Sequence, residues 1–496
     1  MKRIVSMLLL LVMMAGALIA CQDPEQPPSN GTDTSVPEGQ TTEDVAPHLP
    51  VKDFGGATFT IMSRSREMGW GEMAIAADAD DVTPISAATY RRNVTVEETY
   101  KIKLAFWEIN DASATGDSFY RTLQENSLAQ DDICDICIPG VLDAALLAPE
   151  GMFHDLSSGE IPYVNLEAEW WLKRINDSIS LLNKQYFAIN DMLLNDKLDT
   201  YVMFFNKSVF DENQMDYPYG LVESNEWTLD AFTTLIKSYG QDLNFNDKPD
   251  YDDAYGLVGM IYDVFYIGAG ITGAYLDEET GLPVITELTE RMTNIYDTVY
   301  SIFNDAPYTN YNIGQGLYAN NILLTFQQAF DGKSLFMCGP LNFYFNIIPN
   351  IESNVGIVPC PKYDAAQEKY YSRAGYTGAT VITILNTVQD KERAGLILEA
   401  LGAESSVTVT PTFYETMLQD RYAQDEESKA MINLIIESEI FDLDQIFKWG
   451  CVIDFFQTSA VQKTPSVASI YDRFKVLANQ NLQATLEAYQ NLDYAS

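Results

Sequence analysis

Thr58-Phe-Thr-Ile-Met62, Lys101-Ile-Lys-Leu-Ala-Phe106 and Asp132-Ile-Cys-Asp-Ile-Cys-Ile138 are the apolar runs whose reading decides the fold. Each is short enough for a strand, and the first follows the Gly55-Gly56 turn. Between them, residues 85–100 read as an amphipathic helix and a second helix is predicted near 117–129. Strands alternating with helices predict an α/β architecture with parallel sheets. In such sheets ligands sit beyond the carboxyl ends of the strands. The loops after Met62 and Ile138 are therefore the ones expected to matter in this part of the chain.

Upstream of the first strand the chain has another character. Met-Lys-Arg opens it, an apolar run follows from Ile4 to Ala20, and Leu18-Ile19-Ala20-Cys21 closes the run. A charged start, an apolar middle and small residues before a cut form a secretory signal. The last four residues resemble a bacterial lipobox, whose Cys is lipidated and becomes the new N-terminus, so residues 1–21 are set apart and Cys21 is the expected lipidation site. An ordinary signal peptide or an N-terminal anchor helix is the alternative. Gln22 to Pro50 contains six prolines and no aromatic residue. Such a stretch buries too little to fold, and 22–51 reads as a disordered tether with a reach of roughly 30 Å.

From Cys21 onward the chain has 28 basic residues against 71 acidic ones, a formal charge of −43. That surface repels nucleic acid and anionic lipid, so membrane attachment must come from the lipid and no nucleic-acid partner is expected. With 47% hydrophobic and 12% aromatic residues the chain can build a large core, and its length implies at least two lobes.

Five cysteines remain after Cys21: Cys134, Cys137, Cys338, Cys360 and Cys451. Cys134 and Cys137 have the spacing of a redox or metal pair. On a strand, however, positions three apart face opposite ways, and no second pair lies at zinc-ribbon spacing, so small buried thiols are expected. Only His48 and His154 are present. That argues against a Ser-His-Asp triad and against multi-His zinc sites. Walker A, G-x-S-x-G and H-E-x-x-H strings are absent.

Thr200-Tyr-Val-Met-Phe-Phe-Asn-Lys207, Glu226-Trp-Thr-Leu-Asp-Ala-Phe232, Ala329-Phe-Asp-Gly-Lys-Ser-Leu-Phe-Met337, Gly339-Pro340 and Gly356-Ile-Val-Pro-Cys-Pro-Lys-Tyr363 stand in a telling order. Together they resemble the extracellular solute-binding proteins, family 1, of ABC importers, which include maltose- and oligosaccharide-binding lipoproteins. Tyr90-Arg-Arg-Asn93, Val96-Glu-Glu98 and Asp425-Glu-Glu-Ser428 resemble the Gram-positive anaerobe branch of that family. The resemblance spans most of residues 55–440. It implies a type II periplasmic-binding-protein fold, two α/β lobes joined by a hinge with the ligand in the interlobe cleft. It places lobe one at 52–160 plus 361–405 and lobe two at 161–360 plus 406–496. Closing such lobes around a ligand is a hinge motion.

The candidate ligand-binding residues follow from this frame. Trp70 lies in Met68-Gly-Trp-Gly71 after the first strand, where its ring suits the C–H face of a sugar. Asp199 stands seven residues before Asn206; in maltose-binding relatives an acid there bonds a sugar hydroxyl. Tyr262, Asp263 and Tyr266 follow a strand predicted at 255–260, in the place of an acidic-aromatic loop of lobe two. After Gly339-Pro340 the family often carries a stacking Trp. Here the position is Leu341, so Asn342 and Tyr344 become the candidates and a maltose-like ligand is put in doubt. Tyr376 and Trp449 complete the set, whereas Trp170, Trp171 and Trp227 are expected in the core. Each candidate has a plain structural alternative in packing or capping.

Residues 242–253 carry a calcium-loop pattern. Asp242, Asn244, Asn246, the carbonyl of Lys248, Asp250 and Asp253 fall at positions 1, 3, 5, 7, 9 and 12. Asp247 replaces the usual Gly at position 6, and Asp253 is one methylene shorter than the usual Glu. A structural Ca2+ is expected here, the alternative being a solvated acidic turn. The whole reading is a monomeric, lipid-anchored receptor on the extracellular face of the cell membrane. It captures a solute, a carbohydrate, and hands it to a permease without doing chemistry on it. A secreted glycan hydrolase with a carboxylate pair, and a sensor or adhesin without transport, are the rivals.

Overall fold

The computed structural model describes residues 49–66, 71–111, 115–250, 252–259, 263–304, 308–311, 330–419, 426–461, 463 and 467–495. Cys21 and the tether lie outside them. Strand β1 (Ala57–Arg64) leads through helix Pro84–Tyr100 to β2 (Ile102–Ile109), then through helix Ser118–Ala129 to β3 (Ile136–Ile138). The helix starts where the Thr83 side chain caps Ser86 N–H and Pro84 takes the first turn. It stops at Lys101, whose left-handed backbone ends the ladder. The three strands pair in parallel in the order β2-β1-β3, with Phe59 and Ile61 buried in the core.

The expected strand at 132–138 shortens to Ile136–Ile138, and the difference matters for the thiols. Cys134 lies outside the regular ladder, so the alternation that separates residues three apart does not apply. The two buried thiols meet, and the contact with Cys137, together with burial, holds the Cys134 thiol well above its ordinary pKa. All five described cysteines are free.

The returning chain bridges this sheet again at Cys137–Thr383, Gly140–Thr380 and Ala188–Ile382. Helix Lys391–Val407 then packs on helix Pro84–Tyr100. Trp170 and Trp171, buried as expected, donate their indole N–H groups to Glu399 on that helix at 2.8 and 2.9 Å. The stretch from Trp170 to Ala188 thus packs with the first sheet, although the resemblance places it in lobe two.

The second sheet has five strands in the order β10-β4-β9-β5-β8. These are β4 (Tyr201–Asn206), β5 (Tyr255–Val258), β8 (Asn310–Tyr311), β9 (Ser334–Pro340) and β10 (Val355–Val358). The hairpin β6 (Ala274–Leu276) and β7 (Pro283–Ile285) stands apart. The sheet is mixed rather than parallel: β4 runs antiparallel to β9 and β10, while β5 is parallel to β8 and β9. Every residue of β4 and β9 is buried. Phe205, Phe232, Trp227 and Phe336 form an aromatic core, with the Phe232 and Phe336 rings 5.3 Å apart. Helix Glu426–Glu437 packs on β10, and β11 (Ser372–Arg373) pairs in parallel with β12 (Glu439–Ile440). Among the described residues no helix is long and apolar enough to cross a membrane.

Candidate functional site

The chain passes from the first sheet to the second just before β4, and it returns through β11 and the Gly375–Gly378 turn. Asp199 caps the short helix Asn195–Leu198 at the first of these passages. Its carboxylate accepts the Gly378 N–H at 2.8 Å, and its carbonyl accepts the Gly375 N–H at 3.0 Å. A Cβ at Gly375 would stand 1.9 Å from the carboxylate, so only glycine allows this approach. Burial raises the Asp199 carboxyl to about 6 against the pull of the Gly378 N–H, the Arg373 charge and the Ala379 N–H.

Asp199 therefore helps to hold the turn that carries Tyr376. Beside that turn, Arg373 on β11 donates Nε–H to Asp263, and both side chains are almost wholly buried, at 4% and 2% exposure. The guanidinium lies over the rings of Tyr201 and Tyr376, 4.3 and 4.5 Å from their centroids. The Lys448 ammonium sits 5.2 Å from the Tyr376 ring as well. Arg373 Nη1 and Asp263 Oδ1 have no hydrogen-bond partner among the described residues. One buried ion pair thus leaves a donor and an acceptor unused. Buried polar atoms are normally satisfied, which makes this pair a candidate for an outside partner.

Glu72, in the loop after β1, ties the passages together. Its carboxylate accepts N–H groups of Leu194 and Asn195, each at 3.0 Å, the Thr380 hydroxyl at 2.8 Å and the Ala74 N–H at 3.2 Å. Burial raises its pKa, and these four bonds oppose the rise.

The candidates divide by location. Asp199, Asp263 and Tyr376 are brought together around Arg373. Tyr266 is buried with its ring 5.3 Å from Phe456. Tyr344 is buried and donates to the Met417 carbonyl, and half-buried Asn342 donates its N–H to the Leu198 carbonyl at 2.8 Å. Trp449 is fully buried, stacked on Phe447, with its indole N–H on Thr485. Trp70 and Tyr262 lie outside the described residues. Arg373, Lys448 and Glu72 escaped the sequence reading, which expected a cleft of rings and carboxylates without cations. A lone Arg before Ala374-Gly-Tyr-Thr-Gly378 gives no local hint that its partner lies 110 residues away.

In the loop at 242–253, Asp242 accepts the Phe245 and Asp247 N–H groups, and Asp247 takes the left-handed backbone (φ 57°) that position 6 requires. The side-chain amides of Asn244 and Asn246 converge on Asp250, and Asp253 accepts the Leu243 and Asp250 N–H groups. The oxygens of positions 1, 3, 5 and 9 thus belong to one compact turn. Among the described residues no three His, Cys, Asp or Glu side chains gather as a metal site. Two of the five expected side-chain ligands here are asparagines.

Solved structures share this architecture over 86–88% of the chain. An ABC substrate-binding protein of Listeria monocytogenes in complex with cycloalternan matches with a TM-score of 0.54 at 12% identity, covering 86% of this chain and 99% of that one. The fold is the type II fold of ABC sugar-binding proteins. RafE from Streptococcus pneumoniae, in its apo form, matches with a TM-score of 0.53 at 12% identity, over 86% of this chain and 98% of its own. A cyclo/maltodextrin-binding protein complexed with maltotetraose gives 0.53 at 12% identity, over 88% and 98%. No family model and no curated protein matches the sequence. The Arg373 cluster lies beside the passages between the two sheets.

Proposed function

We propose that this protein is the lipid-anchored solute receptor of an ABC importer, that it binds an oligosaccharide between its lobes, and that it delivers it to membrane permease subunits. The observation that carries the reading is the buried Arg373–Asp263 pair with its unused Nη1 donor and Oδ1 acceptor beside the Tyr201 and Tyr376 rings. Neighbouring sugar hydroxyls both accept and donate. One takes the guanidinium N–H, the other gives its proton to the carboxylate, and a ring stacks on the C–H face. Paired with Asp263, the Arg373 charge is balanced, so the site asks for a neutral polyhydroxylated ligand rather than an anion. The sugar ligands named for the Listeria protein and the maltodextrin-binding protein support this choice. Tyr262 directly precedes Asp263 in sequence, and Trp70 precedes Glu72 by two residues; both remain proposed ligand contacts.

A calorimetric screen of mono- and oligosaccharides tests the reading, with Tyr376→Ala as the variant. Binding of one glycan, weakened in the variant by roughly 1–3 kcal/mol, is the expected result. Tight binding of a peptide or phosphate ester and of no glycan overturns it, and release of reducing ends from the bound glycan moves the assignment to the hydrolase. We also propose a structural Ca2+ in the loop at 242–253. Asp242, Asn244, Asn246, Asp250 and Asp253 would supply side-chain oxygens and Lys248 a carbonyl, with the two asparagine amides turned to present oxygen.

A further inference from the structure

Two residues before Asp199, the chain takes part in a different cavity. Lys197 and Asp191 of the first passage line it together with Trp171 and Arg174, Tyr414 of helix Val409–Gln419, and Glu439 of β12. Its volume is about 310 Å³, within the range of small-molecule pockets, and it shares no residue with the Arg373 cluster.

The charges around this cavity are not balanced bond for bond. Lys197 is buried and gives its ammonium to Asp196 Oδ2 at 2.9 Å. Arg174 is already engaged with the Glu439 backbone carbonyl. Glu439, 1% exposed, accepts the Thr200 hydroxyl on Oε1 at 2.8 Å, but its Oε2 has no partner among the described residues. Asp196, wholly buried, likewise leaves Oδ1 without one. Both unused atoms are carboxylate oxygens, and the buried Lys197 ammonium is already committed to Asp196. Asp191, Asp196 and Glu439 face Lys197 and Arg174; the exposed Glu169 and Lys173 also line the cavity, and Lys173 is paired with Glu167 and Asp177. Two carboxylate oxygens of the cluster thus lack donors, and with Glu439 ionised the cluster is short of one positive charge.

We propose that this cavity binds a small organic cation carrying a primary ammonium group, with Glu439 Oε2 as its anchor. The ammonium supplies donors to the unused oxygens and the charge that balances ionised Glu439, and the lining includes the aromatic residues Trp171 and Tyr414, a residue type that favours cations. A neutral polyol meets the donor deficit but leaves the charge deficit. An anion meets neither and adds to three carboxylates. A consequence follows for the proton. Burial and the neighbouring Asp196 raise the Glu439 pKa and so favour its protonated form. A cation at Oε2 favours the ionised form, and binding releases that proton to the buffer.

The test uses the full chain, with ethanolamine as probe and ethylene glycol as its neutral counterpart. Ethanolamine is expected to raise the melting temperature with concentration, ethylene glycol not. The ethanolamine binding enthalpy at pH 7 is expected to differ between phosphate and Tris buffers in proportion to the proton released. Glu439→Gln should weaken ethanolamine roughly tenfold or more and remove the buffer dependence, while oligosaccharide binding stays unchanged. Tyr414→Leu gives a second reading should the first variant fold poorly, and it too should weaken the amine. Equal stabilisation by both probes, no stabilisation by either, or undiminished binding in Glu439→Gln overturns the proposal. A cavity that holds water only gives the second of these results. Because oligosaccharide binding is measured in the same samples, failure here is distinguishable from failure of the sugar-binding reading.

Discussion

Replacing Arg373 with Met separates what the buried pair does for stability from what it does for binding. Arg373 has 4% exposure and is the cation on Asp263, which has 2%. Without it the Asp263 carboxylate stays in the interior with no opposite charge. Removing one partner of a buried pair costs about 3–5 kcal/mol. The lost contacts with the Tyr201 and Tyr376 rings act in the same direction, at roughly 0.5–2 kcal/mol each. The midpoint of urea unfolding, followed by tryptophan fluorescence and circular dichroism together, should fall accordingly. Adding Asp263→Leu removes the stranded carboxylate and replaces the pair with two apolar side chains. Such replacements are often neutral, so the double variant should return to within about 1 kcal/mol of the natural protein. Glycan binding should be absent in the double variant, because the unused Nη1 and Oδ1 are gone. A single variant that loses less than about 1 kcal/mol would refute the burial argument. A stable double variant that binds the glycan at full strength would refute the recognition argument.

Stability should fall, not rise, between pH 5 and 8. Burial raises Glu399 from 4.5 to about 7, so its contribution is fully present below the unfolded value and is lost as pH climbs through the folded one. Glu439, also raised by burial, and Asp191 and Asp199 at about 6 add the same sign. Melting temperatures across this range check it, and Glu399→Gln should flatten the slope; a rising curve contradicts the burial of these acids. For the calcium loop, chelator should lower the melting temperature and Asp242→Ala should abolish that sensitivity, whereas identical curves with and without calcium remove the metal from the account. Cys21→Ser should move the protein from the membrane fraction to the medium in cells that process lipoproteins, and unchanged fractionation would end the anchor reading.

What was legible in the sequence is what is written locally. The strand Ala57–Arg64, the helix Pro84–Tyr100 with its Thr83 cap, and the strand beginning at Ile102 are set by turn glycines, a cap and apolar runs within a dozen residues of each other. The burial of Trp170, Trp171 and Trp227 was equally readable, since large rings beside helix starts find the core. Asp199, Asp263 and Tyr376 came from position within a resemblance, and the structure brings these three together.

The remainder depends on side chains that meet only after folding. Arg373 and Asp263 are 110 residues apart, and Glu72 reaches Thr380 across 308. Neither partner looks unusual in its own stretch, because a single Arg or Glu among polar neighbours reads as solvated surface. The mixed order of the second sheet and the meeting of Cys134 with Cys137 escaped for a related reason. Periodicity predicts which residues alternate within a strand, but pairing partners and the end of a ladder are chosen by the whole chain. The sequence by itself determined the local elements and the apolar faces they must bury. Only the tertiary structure decided which buried charges find partners and which leave an atom unpaired, because desolvation and pairing are properties of the assembled interior.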